Sequence, residues 1–341
     1  YSIWVSFEYK NDGTLYDNRM RPADIVCPVI VALFALLLVI WMINWFVSFE
    51  VQIGIHYLLT GVITLMLLWR VIDYVEYQFY KTSDEYSGLS VVNIVFFCIA
   101  QIALMFFIAL AAKGWGIVRD DVSLKDILFA AGASCLFIVP QVVLNVINNY
   151  VVEVIMLLVA AISIILYAVI VIQSLADSRL RILGHMYIIS LEGFDPDTTP
   201  VAKKKQMYRQ LYFIVWGYSF LVWIKCIVII CVNTLYWVQY LLSGCCEVIV
   251  VYALAFVFRV RKGRNNGYTK FNDAPETASE LVLEDIKEAA NADGFGSGGR
   301  IWEEGTVLPN RPRIVSVPQS IKIETPDGEA VVSVDRAEQE V

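Results

Sequence analysis

Residues 25–48 read IVCPVIVALFALLLVIWMINWFVS, a run of 24 residues without a charged side chain. A helix rises about 1.5 Å per residue, so about 20 apolar residues cross the hydrocarbon core of a bilayer. Further runs of this kind lie at about 54–77, 89–112, 126–148, 151–175, 210–233 and 236–258. The sequence therefore predicts an all-α membrane protein that forms a seven-transmembrane helix bundle.

The composition of the chain agrees with this fold class. Of the 341 residues, 58% are hydrophobic and 17% are charged, a balance typical of integral membrane proteins. All seven cysteines lie in apolar runs and there are two histidines, so we expect no disulfide framework, metal site or cofactor. We find no catalytic arrangement of side chains, and we expect neither an enzyme nor a nucleic-acid-binding protein.

Positive charges near the ends of the spans predict the orientation, because loops rich in Lys and Arg stay in the cytoplasm. With the N-terminus outside, 13 such residues lie on the inner side and 4 on the outer side. We therefore expect a luminal or extracellular N-terminus and a cytoplasmic C-terminus. The turns near residues 148–150 and 233–236 are tight, so the helices on either side of each turn should form antiparallel hairpins.

Three parts of the chain are predicted: residues 1–24, a remnant of a luminal domain with its linker; residues 25–262, the helix bundle; and residues 263–341, a disordered acidic cytoplasmic tail. The tail holds 15 acidic and 8 basic residues, whereas residues 1–262 hold 18 of each. Because the chain begins at Tyr1 without a signal-peptide pattern, we expect that a preceding segment was removed.

Two stretches of the tail have patterns of local structure. ELVLEDIKEAA (280–290) is compatible with a short amphipathic helix, and SVPQSIKIETPDGEAVVSV (316–334) alternates like a β-hairpin with a PDG turn. A solvated tail without structure is the favoured interpretation of both.

Ionisable residues within membrane spans are costly, so each one is a candidate for function. In WRVIDYVEYQFY (69–80), Arg70, Asp73, Glu76 and Tyr77 share one side of a helix at 100° per residue. Arg70 lies about 24 Å along the second span and Glu76 about 33 Å, which predicts a cluster at the outer mouth of the bundle. The cluster is either a structural Arg70–Asp73 pair or the wall of a polar cavity.

A second candidate pair lies in spans six and seven. Lys225 and Glu247 are at similar distances from the turn between these spans, so they are predicted to form either a buried ion pair or part of an ion pathway. Four further polar residues are predicted to line the interior or to bridge helices: Asn93, Gln101, Gln141 and Asn145.

The predicted loop between spans five and six is rich in positive charge. It would present contacts to a cytoplasmic partner through six residues: Arg179, Arg181, Lys203, Lys204, Lys205 and Arg209.

Four stretches resemble the lung seven-transmembrane (GOST) family in the expected order: WRVIDYVEYQFYKTSDEYSGLS (69–90), AAKGWGIVRDDVS (111–123), KKKQMYRQL (203–211) and FVFRVRKGRNNGY (256–268). The resemblance implies a luminal β-sandwich of the GOLD type ahead of the first span, mostly missing from this chain, and then seven helices. Trp69, Asp73 and the long loop that includes HMYIISLEGFDPDTTPVAKKK depart from the family pattern. The intimal-thickness-related receptor group is a close relative.

The resemblance implies a Golgi-type endomembrane protein, with the plasma membrane as the alternative location. The first hypothesis is a trafficking carrier or sorting receptor, whose partners are a membrane lipid or lipidated cargo and cytoplasmic sorting machinery. The second is a receptor that signals to a G protein. The third is a cation channel that uses Glu247, Asp73 and Glu76.

Overall fold

A computed structural model describes residues 21–82, 88–119, 122–146, 150–231 and 236–260, together with residues 280–282, 299–303, 309, 313–315, 321–325 and 328–332 of the tail. Over these residues the chain forms seven long helices, one for each apolar run. They are α1 (Ala23–Val47), α2 (Gly54–Thr82), α3 (Gly88–Ala112), α4 (Leu124–Val146), α5 (Tyr150–Leu191), α6 (Pro200–Cys231) and α7 (Tyr236–Val257).

Six of these helices are long and apolar enough to cross a membrane when only the described residues are considered. The exception is α6, whose side chains at 226 and 229–231 are outside the described set. Large apolar side chains cover much of the helix surface, as expected where lipid replaces water. The predicted all-α membrane bundle is confirmed, while its orientation in the membrane stays a prediction.

Helix α1 has one side that packs against the protein and an opposite side that is exposed. Its buried residues recur every three or four positions, which places them on one stripe. The opposite side is exposed, including Ile25 (72%) and Phe46 (70%). The buried stripe consists of Ala23, Cys27, Ile30, Phe34, Leu37, Trp41 and Trp45.

The contacts within the chain divide it into two units, the first formed by Tyr1–Gln173 with Arg209–Lys262 and the second by Ser174–Tyr208 with Gly263–Val341. In the first unit, α2 packs against α1 and α3, α3 packs against α4, and α1 packs against α7. The segment that follows α7 is hydrogen-bonded to α1 twice: the Asn44 side-chain amide donates to the Val260 carbonyl (3.1 Å) and accepts from its N–H (3.0 Å).

The stretch GWG after α3 forms a tight turn for a steric reason. Gly114 and Gly116 have φ of +91° and +72°, a backbone conformation that favours glycine. Between them, Trp115 packs against the start of α2, where a Cβ on Gly54 would lie 3.0 Å from the indole ring. Both the turn and its close approach to α2 therefore require small residues.

In the second unit, helices occupy most of the segment that the sequence predicted to be a long loop. Helix α5 continues to Leu191 and α6 begins at Pro200, so the connection is only residues 192–199 and includes the short 3₁₀ helix Pro196–Thr198. The prediction of a long loop is wrong, because amphipathic segments beyond the apolar core continue the helices and are not counted by a search for membrane spans.

The tail contains two pairs of short strands. Strand β1 (Glu280–Val282) pairs in parallel with β2 (Arg313–Val315). Strand β3 (Ile321–Thr325) pairs antiparallel with β4 (Gly328–Val332), with Thr325 opposite Gly328. The favoured interpretation, a tail without structure, is wrong over these strands. The hairpin that the alternation allowed is present, whereas the short helix that was compatible with residues 280–290 is not found over Glu280–Val282. Elsewhere disorder of the tail stays a prediction, and most of the predicted luminal remnant lies outside the described residues.

Candidate functional site: a buried polar network

Arg70 lies at the centre of a group of polar side chains contributed by α2, α3 and α7. It is 2% exposed, and its guanidinium donates from Nη1 to Asp73 Oδ2 (3.1 Å) and from Nη2 to Glu247 Oε2 (2.5 Å). The Arg70 guanidinium carbon also lies 4.1 Å from the centre of the Trp69 ring, a cation–π contact. The predicted Arg70–Asp73 pair is confirmed, and Glu247 is a second partner.

Glu247 also connects this pair to Gln101 of α3. Its Oε1 accepts from Gln101 Nε2 at 2.9 Å. Arg70, Gln101 and Glu247 are residues 17 of 29, 14 of 25 and 12 of 22 in α2, α3 and α7. The prediction that Arg70 lies at the outer mouth is therefore wrong. Helix α2 continues five residues beyond the predicted end of its span, so Arg70 lies halfway along it.

Asp73 and Glu76 continue the group along α2 towards the end that is predicted to be luminal. Tyr240 of α7 donates its hydroxyl to Asp73 Oδ2, and the amide of Asn93 donates to both carboxylates. Ser90 donates to Glu76 Oε1 at 2.5 Å. We refer to the whole group as the polar network, which consists of Arg70, Asp73, Glu76, Ser90, Asn93, Gln101, Tyr240 and Glu247.

The hydrogen bonds of the polar network are nearly saturated. Each of the six oxygens of Asp73, Glu76 and Glu247 accepts at least one bond from another member. Among the described residues, the buried network atoms without a partner are Arg70 Nε and Asn93 Oδ1. Because buried charges are costly unless paired and hydrogen-bonded, this arrangement holds three helices in one relative position.

Lys225 does not pair with Glu247 as the sequence predicted. Its Nζ donates to Ser243 Oγ at 3.1 Å, one turn before Glu247 on α7. Similar depth places two residues at one height in the bundle but does not specify how each helix is rotated about its axis. Glu247 faces α2 and α3, where Arg70 and Gln101 bind it. The predicted Lys225–Glu247 ion pair is therefore wrong.

The other predicted interior residues have different environments. Tyr77 is buried outside the polar network, against Ala23 and Cys27 of α1. Gln141 is half-buried on α4, and no hydrogen bond described for the chain joins it to the polar network. The side chain of Asn145 lies outside the described residues.

The six basic residues proposed as cytoplasmic contacts differ in accessibility. Arg179 and Arg209 are exposed, and Arg181, Lys203 and Lys205 are half-buried. Lys204 is only 4% exposed and makes interactions of its own. The prediction that Lys204 presents a contact to a partner is wrong, because it lies on the buried side of the first turns of α6.

Two members of the polar network were not predicted. Ser90 opens α3 in an exposed-looking sequence context, and Tyr240 is one of several aromatic residues at the start of α7. Both residue types occur often at helix ends and interfaces, so neither carries a specific signal. The one indication for Ser90 is its closeness in sequence to Glu76, from which it is separated by the short α2–α3 connection.

A pocket with mostly apolar walls lies between α3, α4, α5 and α6. The Tyr167 hydroxyl at its wall donates to the Met105 carbonyl (2.6 Å), and Ser219 donates to the Val215 carbonyl (2.9 Å), so both hydroxyl protons are used within the bundle. The free volume of the pocket is about 10 Å³, room for about one water molecule, so these helices pack closely around walls that are mainly hydrocarbon. Its walls are formed by Ile108, Phe137, Ile164, Tyr167, Val215, Tyr218, Ser219 and Val222.

Replacing Asn93 by alanine is expected to destabilise the bundle by about 1–3 kcal/mol, because Asp73 and Glu76 would each lose a donor at a partly buried site. Unfolding in mixed micelles with an increasing fraction of SDS would measure this loss. Thr82→Ala is the control, since the Thr82 hydroxyl is exposed and bonds only to the Phe79 carbonyl of its own helix in the described structure. Equal stability of the two variants would contradict a structural role for Asn93.

Comparison with known proteins does not add a family. A scan against protein-family models finds no match, and a search of curated proteins also finds none. The fold and the polar network define the class: a multi-pass, all-α membrane protein with charged side chains buried between α2, α3 and α7.

Proposed function

We propose that the chain is a Golgi-type endomembrane protein with the architecture of the GOST family, and that it acts in membrane trafficking as a carrier or sorting receptor for a membrane-associated cargo. The observation that carries this proposal is the multi-pass bundle itself, whose described helices are long and apolar enough to cross a membrane and expose large apolar side chains. An acyl chain of a lipid or of a lipidated cargo has the chemistry that suits such an apolar helix surface.

A cation channel is the alternative that a specific observation favours, because the polar network holds three carboxylates and one guanidinium in the described chain. We rank it lower for a physical reason. All six carboxylate oxygens already accept hydrogen bonds from the protein, so a dehydrated cation would have to displace these donors. Planar-bilayer recordings that show current reduced by Glu247→Gln would reverse this ranking.

Photolabelling tests the cargo part of the proposal. The chain in detergent micelles is expected to be labelled by a photoactivatable palmitate analogue, and excess unlabelled palmitate is expected to suppress the labelling. Labelling that unlabelled palmitate does not suppress would contradict specific binding of an acyl chain.

The trafficking role needs a separate test in cells. The tagged chain is expected to co-fractionate with Golgi membranes, and deletion of residues 265–341 is expected to change its location if the tail binds sorting machinery. A variant with this deletion that keeps its location and still delivers cargo would contradict the sorting part of the proposal.

A further inference from the structure

In the second unit, residues 299–303 of the tail contact the connection between α5 and α6. Arg300 forms a parallel β-bridge with Phe194: the Arg300 N–H donates to the Gly193 carbonyl (2.8 Å), and the Asp195 N–H donates to the Arg300 carbonyl (2.9 Å). The Trp302 N–H donates to Thr198 Oγ1 at 3.1 Å. We call residues 299–303 the tail strap and residues 192–199 the α5–α6 loop.

A second contact anchors the same part of the tail to α5. His185, which is 4% exposed, donates from Nε2 to the Pro309 carbonyl at 2.9 Å. A buried imidazole of α5 therefore recognises a main-chain group of the tail. Together, the bridge and this bond hold the tail at both ends of a segment of about ten residues.

The tail strap is recognised mainly through its backbone. The hydrogen bonds described between it and the α5–α6 loop involve its main-chain groups, and the Ile301 side chain between them is 74% exposed. The exception is Gly299, because a Cβ at this position would lie 2.6 Å from the Phe194 carbonyl carbon and 2.7 Å from the Asp195 nitrogen. Peptide docking by strand addition has this pattern: main-chain hydrogen bonds hold an extended segment, and the site requires a particular residue at one position.

The α5–α6 loop is shaped to present these groups. The chain leaves α5 through Gly193, whose φ is +82°, and this turn exposes the Gly193 carbonyl and the Asp195 N–H on one edge. Asp195 then caps the 3₁₀ helix by accepting from the Asp197 N–H at 3.0 Å, and Thr198 donates to the Asp195 carbonyl at 2.7 Å. The edge that binds the tail strap is thus held by bonds inside the loop.

We propose that the α5–α6 loop is a docking site for an extended peptide with glycine immediately before its paired residue, and that the tail strap fills this site in cis. A tethered segment has a high effective concentration, in the millimolar range for short flexible linkers, so it competes strongly with a peptide supplied in trans. The site accepts a free peptide once the tail strap is displaced. This inference does not depend on the trafficking role or on the pocket.

Peptide binding to the intact chain tests the proposal. The probe is a fluorescent peptide with the sequence SGGRIWEEGTVLPNR (residues 297–311), and the receptor is the full chain in detergent micelles. Gly299→Ala in the chain releases the tail strap, so the peptide should bind this variant about tenfold more tightly than the wild-type chain. Ile301→Ala is the matched control and should bind the peptide as the wild-type chain does. A peptide that itself carries Gly299→Ala should not bind.

Trypsin cleavage after Arg300 provides an independent readout of the cis contact. Docking should protect this bond, so cleavage of the Gly299→Ala chain is expected to be about tenfold faster than that of the wild-type and Ile301→Ala chains. Equal cleavage rates, or equal peptide binding by the wild-type and Gly299→Ala chains, would overturn the proposal.

Discussion

Replacing Arg70 by methionine is expected to lower the free energy of unfolding by about 3–5 kcal/mol, the range for removing one partner of a buried ion pair. The substitution leaves the Glu247 carboxylate, 6% exposed, without its cation, and Asp73 loses the same partner. Methionine keeps much of the volume of the side chain, so loss of charge and hydrogen bonds dominates. Unfolding in mixed micelles with an increasing fraction of SDS would measure the effect.

Two further variants distinguish pairing from general damage. Lys225→Met is the matched control, because Lys225 is half-buried and is bonded to Ser243, outside the polar network. It should cost much less than Arg70→Met. The double variant Arg70→Met with Glu247→Leu should recover part of the lost stability, since Glu247 then no longer leaves a buried charge without its cation, while Asp73 still lacks Arg70. If Arg70→Met and Lys225→Met have equal effects, the ion pair does not stabilise the bundle.

Replacing Phe107 by alanine is expected to cost about 2 kcal/mol. Phe107 is completely buried on α3 and meets the ring of Phe258 edge-to-face, with centroids 5.4 Å apart. Because lipid tails are as apolar as the interior of the bundle, we expect the cost to come from the cavity and the lost ring contact rather than from transfer to water.

The control for this second prediction is Phe46→Ala on α1, where the ring is 70% exposed and opens no interior cavity. The same unfolding measurement on both variants separates the stability lost with interior contacts from the stability lost with exposed apolar surface. A Phe107→Ala chain as stable as Phe46→Ala would show that α3 can close around the smaller side chain. The edge-to-face contact with Phe258 would then not be required for the stability of the bundle.

The Arg70 prediction also bears on the choice between carrier and channel. In a carrier, the polar network has a structural role: it fixes α2, α3 and α7 and takes no part in binding cargo. In a channel, the same carboxylates would have to exchange protein donors for ions. A large stability loss in Arg70→Met, together with silent bilayers, would favour the first role.

The α5–α6 loop shows why a functional surface can escape a sequence search. The basic residues around it suggested a partner surface, but their side chains differ in accessibility and Lys204 is buried. The contacts that occupy the loop are main-chain bonds from residues 299–303. Main-chain groups are the same in every residue, so these bonds leave no pattern in the sequence. Gly299, where a Cβ would not fit, is one glycine among several.

The sequence by itself determined the helices, because the length and periodicity of an apolar run are local properties that the bilayer selects. The alternation along the β3–β4 hairpin is also a local property, but it allowed the hairpin only as an alternative to a tail without structure. Only the tertiary structure decided that Glu247 binds Arg70 and not Lys225. The depth of a residue along a helix follows from counting residues. The rotation of the helix about its axis, and the neighbours of each residue, depend on how all the side chains pack together.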